Sequence, residues 1–489
     1  MATGTAADLD LLGNEALAGE LPGIRAAFDP EMMREQLQAA LIGPESPGRA
    51  VVRRCAPTQA ILLDGPCCVV RYELELELGD GSGRVVPALV SGRLFTEPAT
   101  AARYAAERLA PLAERVRGRA EVAPFARAAA VIEPLGMAVH AFPVDGELPT
   151  LVDATDPGVA ARALGELLAA SGHGQAAAPG QVAGCRVEPV HYNRRRRCML
   201  RYRLDLAGGG QLVLYGKVSN DGAGERTPAV VAALRDALDR AGTRFTVPEC
   251  LGFRPDLQLV VLTEIPGVPQ VAQLLKARLR GEPAPGPAAD GLTLEDAVSA
   301  CGLIAAVLHT SGIQLGVERP LERELADLRA EVAPIRRVSP ELGGRLGSWL
   351  DLAAARAAPT AALPLCQSHG DFSYTQLIFH GSQSGLVDFD NFCQAEPALD
   401  LGHFMAYLRF AGVKARGMSP TERAALGQDL AARFTAAYTG AGGPAEALAR
   451  VPVYETVSLV RLAVHAWQRF KGNRLGNVLT VLDERLLDT

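Results

Sequence analysis

The chain has 489 residues, too many for one small core, with 48% hydrophobic residues, a net charge of -6 and a pI near 5.9; two to four compact units are expected. So mild and mixed a charge argues against a general nucleic-acid binder, and no apolar run reaches the ~20 residues of a spanning helix, so neither nucleic acid nor membrane is expected as a partner. Nine cysteines show no CxxC or Cys/His ligand spacing, which argues against zinc, and the acidic start MATGTAADLDLLGNEAL lacks a secretory pattern, so a cytoplasmic location is expected.

Residues 1–48 read as a helical leader, clearest at Pro30–Ile42. A strand-rich unit follows over 49–180. Val69–Leu78 alternates apolar and polar residues, the pattern of a half-buried strand. Gly79–Gly83 turns the chain, Val85–Phe95 returns, and Thr100–Arg115 has helical spacing. Residues 181–272 repeat that order. Cys198–Leu206 matches Cys68–Leu76 with Cys, Arg, Tyr and Leu in register, Gly208–Gly210 turns, and Gln211–Val218 returns. Thr227–Ala241 predicts a helix with Thr227 as N-cap and Pro228 in the first turn. Strands at Ala130–Glu133 and Met137–Phe142 in the first unit match Glu249–Phe253 and Leu257–Glu264 in the second. Roughly 50–148 and 183–272 thus read as an internal duplication of a small antiparallel sheet plus one helix. The alternative is that hairpins look alike in an Ala-, Arg- and Gly-rich chain.

The proline-rich stretch Gly281–Gly291 predicts a linker or exposed loop. Residues 273–489 then turn mostly helical, with helices expected at Leu294–Thr310, Leu321–Ala333, Leu342–Ala357, Ala398–Phe410, Pro420–Tyr438, Pro444–Ala449 and Val453–Lys471. Two short strands, Leu377–Phe379 and Gly385–Phe389, fall among them.

The most informative stretch is His369-Gly370-Asp371-Phe372-Ser373-Tyr374-Thr375-Gln376, followed by Leu386-Val387-Asp388-Phe389-Asp390. It places one carboxylate on a polar loop and two more after a short apolar strand, with an amide side chain between. Phosphoryl transfer from a nucleotide needs such a set. One carboxylate takes or orients the proton of the attacking hydroxyl, and another, with an amide oxygen, holds magnesium on the phosphates.

Together with Pro397-Ala398-Leu399-Asp400-Leu401-Gly402, these motifs resemble the aminoglycoside phosphotransferase and choline kinase family over about 183–470. The resemblance implies an α+β, bilobal protein-kinase-like fold with an antiparallel-sheet N-lobe (181–272) and a mostly helical C-lobe with the acceptor site (273–489). Here it is preceded by a duplicated N-lobe-like cap (49–180). It implies a small-molecule kinase using ATP or GTP and Mg2+. By position, Asp371 resembles the catalytic carboxylate, with His369 and Gly370 shaping its loop. Asp388 resembles the principal magnesium ligand, and Lys217 the strand lysine on the nucleotide phosphates. Thr263, Glu264 and Ile265 resemble the hinge that binds the base, and Asp400 the aspartate that braces the loop. Where the family usually has asparagine this chain has Gln376, as its maltose-kinase-like branch does; both amides offer an oxygen to a hard cation. Asp390 is either a further metal ligand or a turn cap.

Lys217 lacks the usual acidic partner on the following helix, Glu225 being the nearest candidate. The hairpin Arg194–Arg197, with Arg196 and Arg197 foremost, either supplies charge to the phosphates or is a solvated turn. Near the place of Lys217 the first copy has Gly92-Arg93, so only the second copy is expected to bind nucleotide. His309 and His403 read as core. Tyr454, His465 and Trp467 could line an acceptor pocket or pack in the interior. The resemblance tilts the acceptor towards a sugar or sugar-bearing metabolite. Two rivals stand beside this reading. A protein kinase is disfavoured because only 11 residues separate Asp388 from Asp400. A nucleotide-binding pseudokinase is prompted by Gln376 but opposed by Asp371 and Asp388.

Overall fold

The computed structural model describes residues 10–44, 48–63, 65–171, 182–194, 197–242, 245–283, 292–381, 383–413 and 418–487. Two five-stranded antiparallel sheets precede a helical half. The first contains β1 (Val51–Leu62), β2 (Cys67–Glu77), β3 (Val85–Phe95), β4 (Ala129–Ile132) and β5 (Met137–Ala141), in the order β1-β2-β3-β5-β4. The second contains β6 (Val182–Arg194), β7 (Arg197–Leu206) and β8 (Gln211–Ser219). After the short β9 (Phe245–Thr246), which joins another sheet, come β10 (Cys250–Arg254) and β11 (Leu259–Thr263). Its order, β6-β7-β8-β11-β10, is the same succession.

The alternation in the sequence explains these strands. Val70, Tyr72, Leu74 and Leu76 on β2, and Leu200, Tyr202 and Leu204 on β7, are buried, while the residues between them turn outwards. The pairing registers agree. Arg93 faces Val69, one step from the Leu94–Cys68 pair; Lys217 faces Met199, one step from the Val218–Cys198 pair. Each sheet also rests on a helical segment that precedes it. The Tyr72 hydroxyl donates to the Ala27 carbonyl at 2.8 Å, and the Tyr202 hydroxyl to that of Ala154 at 2.9 Å. Two residues on, Asp29 and Asp156 accept amides of the first turns of the helices Pro30–Leu37 and Pro157–Ser171.

The helical half carries the small strands β12 (Val317–Glu318), β13 (Cys366–Ser368), β14 (Leu377–His380), β15 (Gln383–Leu386) and β16 (Cys393–Ala395). One core joins the first sheet to the helices Leu321–Val338, Pro340–Ala357, Val451–Gln468 and Gly472–Leu487. A second lies between the helices Ala223–Ala241, Leu294–His309, Ala398–Val413 and Pro420–Gly440 and the loop after β13. A third fills the space between the second sheet and the helix Pro157–Ser171.

Several expectations are corrected. The helix after β8 runs Ala223–Ala241, so Thr227 is not its N-cap and Pro228 lies beyond the first turn. Asp221 accepts the Ala223 amide at 3.0 Å and starts the helix four residues earlier, while the Thr227 hydroxyl back-bonds to Ala223. Leu321–Val338 runs through Pro334 because buried Val332, Ile335 and Val338 hold it in place. The strand expected at Gly385–Phe389 ends at Leu386, and Phe389–Asn391 is a 3-10 turn. Helices Pro157–Ser171, Gln270–Arg280 and Gly472–Leu487 were not anticipated. Trp467 and Tyr454 are buried among core helices. Most of the expected linker (284–291) lies outside the described residues. Among the described residues no helix is long and apolar enough to cross a membrane.

Helices Ala398–Val413 and Val451–Gln468 meet at Gly402, where a Cβ would stand 2.6 Å from the Glu455 amide nitrogen. Backbone cannot give way as a side chain can. Gly402→Ala should therefore cost about 3 kcal/mol in urea unfolding, at the upper end of overpacking effects. Gly427→Ala, with open space around the new methyl, should stabilise by up to about 1 kcal/mol. Equal midpoints for the two variants would refute the close approach.

Candidate active site

The site lies where β8 of the second sheet faces the loop after β13 and the turn after β15. A left-handed backbone at Gly370 (φ +76) and at Asp388 (φ +69) shapes it. Aspartate tolerates that conformation better than bulky residues do, and strain of this kind is kept where surrounding structure enforces it.

Asp400 enforces it from below. It is fully buried at the start of the helix Ala398–Val413. Its two oxygens accept the His369 amide at 2.7 Å and the Gly370 amide at 2.9 Å, and His309 Nε2 lies 3.2 Å away. The other His309 nitrogen meets the Tyr438 hydroxyl at 3.0 Å. Burial alone would raise the Asp400 carboxyl, but the His309 hydrogen bond, the neighbouring imidazoles and the His369 amide outweigh it and hold the group below its ordinary value. The His369 side chain is itself buried, with Nε2 3.0 Å from the Val387 carbonyl. It ties the loop to the segment carrying Asp388.

Asp371 projects from this braced loop with 21% of its side chain exposed. Gln376 Nε2 donates to Asp371 Oδ2 at 3.4 Å. His403 Nε2 lies 2.9 Å from Asp371 Oδ1, within ion-pair range but off the axis of a hydrogen bond. The His403 Nδ1 faces Ser458 Oγ at 3.3 Å. His403 is thus core, as expected, yet its contact with Asp371 was missed. The signal was available: His403 stands three residues after Asp400, hence on the same helix face.

Opposite, Lys217 Nζ reaches Asp388 Oδ1 at 2.8 Å and Asp390 Oδ2 at 2.7 Å. Its acidic partners come from the helical half and not from the helix after β8; no Glu225 contact is found among the described residues. Arg197 bridges Asp390 and Asp221. Asp221 is held below its ordinary value: burial would raise it, and the Ala223 amide and Arg197 overcome that. Among the described residues, Lys217 and Arg197 thus face Asp388, Asp390 and Asp221 across the seam. Asp390, only 5% exposed, is a partner to both cations. Arg196 lies outside the described residues.

The hinge candidates lie along the same seam. Thr263 ends β11; its amide donates to the Glu249 carbonyl and its hydroxyl accepts from the Glu249 amide, each at 2.9 Å. The exposed Glu264 accepts from the Tyr215 hydroxyl at 3.2 Å, and Ile265 covers Gly385 of β15.

The family model described as the phosphotransferase enzyme family matches residues 200–447, just over half of the chain. This agrees with the family read from the HGD and DFD motifs. No curated protein matches. Among solved structures the chain is similar to a glucosamine kinase, with 17% identity over 67% of this chain and 85% of that one and a TM-score of 0.43. It is similar to a macrolide 2'-phosphotransferase type I, with 15% identity, 64% and 94% coverage and a TM-score of 0.38. It is also similar to an ethanolamine kinase of Plasmodium vivax, with 11% identity, 61% and 81% coverage and a TM-score of 0.41.

Because Asp400 is depressed in the folded chain, its contribution is complete above the ordinary value of 3.8 and is lost as pH falls through the lower folded value. Asp400→Ala should cost about 3 kcal/mol at pH 7 by orphaning two buried amides. It should also flatten the acid limb of stability between 3.8 and that lower value. Urea midpoints from pH 7 to pH 3 test this; an unchanged acid limb in the variant would exclude the role.

Proposed function

The chain belongs to the phosphotransferase enzyme family, and on that premise we propose that it moves the γ-phosphate of ATP or GTP to a hydroxyl of a small molecule, with magnesium as cofactor. The observation that carries this reading is the meeting of Lys217, on the second sheet, with Asp388 and Asp390, from the helical half. Cations from one lobe and carboxylates from the other are what a nucleotide triphosphate and its metal require between them.

The donor set fits magnesium. Asp388, Asp390 and the Gln376 amide offer the hard oxygens that a small divalent ion takes. Among the described residues no group of three or more His, Cys, Asp or Glu forms a cage, and magnesium needs only one or two carboxylates because phosphates and water complete its shell. When bound, the ion neutralises charge on the phosphates.

The residues divide the remaining work. Lys217 and Arg197 hold the phosphates from the sheet side, while Thr263, Glu264 and Ile265 present the backbone that receives the base. Asp371 orients the acceptor hydroxyl and takes its proton. The acceptor oxygen bonds to the γ-phosphorus as the bond to the bridging oxygen breaks, and the nucleoside diphosphate leaves with that electron pair. His403, backed by Ser458, holds Asp371 in place. Catalysis rests on alignment and charge and needs no protein nucleophile. For the acceptor we favour a sugar or sugar-bearing metabolite. The half-buried Tyr407 ring lies 4.9 Å from buried His403, which touches Asp371, so it forms an aromatic wall near that carboxylate. Such a wall suits the apolar face of a sugar ring.

We also read the two sheets as copies of one unit. Their common strand order, the matched positions of Arg93 and Lys217, and the paired Tyr72 and Tyr202 bonds support this. The unit then includes the helical segment before each sheet.

Asp371→Ala should lower kcat about 10²–10⁴-fold with nucleotide affinity retained. Lys217→Met should lower turnover roughly 10²-fold or more. The assay is nucleotide consumption with magnesium and ATP or GTP against pooled sugars, amino sugars and amino alcohols. Tight nucleotide binding without turnover in every pool would favour the pseudokinase, and turnover surviving Asp371→Ala would overturn the assignment of the base.

A further inference from the structure

The first sheet has a counterpart of the nucleotide cleft, and this chain has closed it. Arg93, at the register position of Lys217, donates to Glu147 Oε1 at 2.6 Å, and its guanidinium lies 4.9 Å from the centre of the Tyr104 ring. A Cβ on Gly146 would stand 2.5 Å from the Tyr104 hydroxyl, so the segment after β5 is already packed against that ring.

What meets this closed cleft comes from the second sheet. Tyr192 on β6 donates its hydroxyl to Asp145 Oδ2 at 2.6 Å, and both residues are buried. Asp145 Oδ1 is held in turn by the amides of Glu147 and Leu148, at 2.8 and 3.2 Å. The Arg71 guanidinium lies 3.5 Å from the Tyr192 ring centre, and the Phe142 ring meets it edge-on at 5.4 Å. Burial first, and then the Asp145 charge, push the Tyr192 phenol well above its ordinary value, so it remains a donor. A second tie is made by Asn220, whose side-chain amide donates to the Glu147 carbonyl.

These two ties bracket the phosphate side of the second sheet. Tyr192 sits on β6 near the β6–β7 turn, and β7 begins at Arg197, which pairs with Asp221 and Asp390. Asn220 lies between β8, which bears Lys217, and Asp221, which starts the following helix. We propose that Tyr192, assisted by Asn220, is a positioning residue for nucleotide binding: the first unit grips β6 and the segment just after β8 so that Arg197 and Lys217 stay set for the phosphates. This rests on the reading of Lys217 and Arg197 given under Proposed function. The benefit is pre-organisation, since cations held in place lose less freedom when the phosphates arrive.

The test uses the full-length chain with Tyr192→Phe and Asn220→Ala as separate variants. Calorimetric binding of ATP or GTP is measured, together with KM for nucleotide, KM for acceptor, kcat and melting temperature. Tyr192→Phe should weaken nucleotide binding and raise the nucleotide KM about fivefold, the order expected for one lost hydrogen bond. Asn220→Ala should shift them the same way, and the acceptor KM should stay within twofold of wild type. Should Tyr192→Phe not fold, Asn220→Ala carries the same test. A nucleotide KM unchanged in the folded variants overturns the proposal, as does a fall in melting temperature with both KM values moving together. Wild-type chain that binds nucleotide while the variants match it overturns this inference alone; wild-type chain that binds no nucleotide overturns the phosphotransfer reading as well.

Discussion

The ammonium of Lys217 lies between Asp388 and Asp390, and the rest of the molecule can be understood as the means of keeping it there. The lysine belongs to a sheet and the carboxylates to a turn in the helical half, so their meeting joins two separately built pieces of chain. A charge held mostly away from water is costly unless paired, which makes the seam specific as well as attractive. Arg197 adds a second cation, and Asp221 a third carboxylate, so the seam is a network of ion pairs.

Rigidity on the helical side comes from one buried carboxylate. Asp400 holds two consecutive loop amides, and His309 with Tyr438 supports it from beneath. The loop can then adopt positive φ at Gly370 and present Asp371. His403, one turn along the same helix, touches Asp371 from its buried side. A single helix thus shapes the loop with its first turn and sets the proposed base with its second. The close approach at Gly402, between those two residues, places that helix against Val451–Gln468. Packing and chemistry meet at adjacent positions.

The two sheets show how one sequence pattern serves two ends. Both bury a tyrosine that bonds back to a preceding carbonyl, and both place a cation one step past the same strand pair. In the second sheet the cation faces the other lobe. In the first, Glu147 neutralises it and Tyr104 covers it. Asp145, in the segment after β5, accepts the hydroxyl of Tyr192 from the next sheet. Arginine suits the closed version, since its planar group both pairs and stacks, whereas lysine suits a site where the partner must change.

The strands, the matched order of the two sheet-bearing segments and the family of the catalytic motifs were legible in the sequence, because period-2 alternation and residue spacing are local properties of a chain. Cys68–Leu76 and Cys198–Leu206 announce their strands, and His369–Asp371 with Asp388 announces phosphotransfer chemistry. Two helices were missed for different reasons: Pro157–Ser171 lies in an Ala-rich stretch where the apolar stripe is blurred, whereas Gln270–Arg280 carries Val271, Leu274, Leu275 and Leu279 at helical spacing and was legible. Thr227-Pro228 misled because Asp221 starts its helix earlier. Only the tertiary structure decided that Lys217 pairs across the seam and not with Glu225, that His403 touches Asp371, and that Tyr192 is held by Asp145 and Arg71. Each of these joins residues from separate elements, some more than a hundred positions apart in the chain. Spacing along the chain says nothing about such partners; the packing of sheets and helices brings them together.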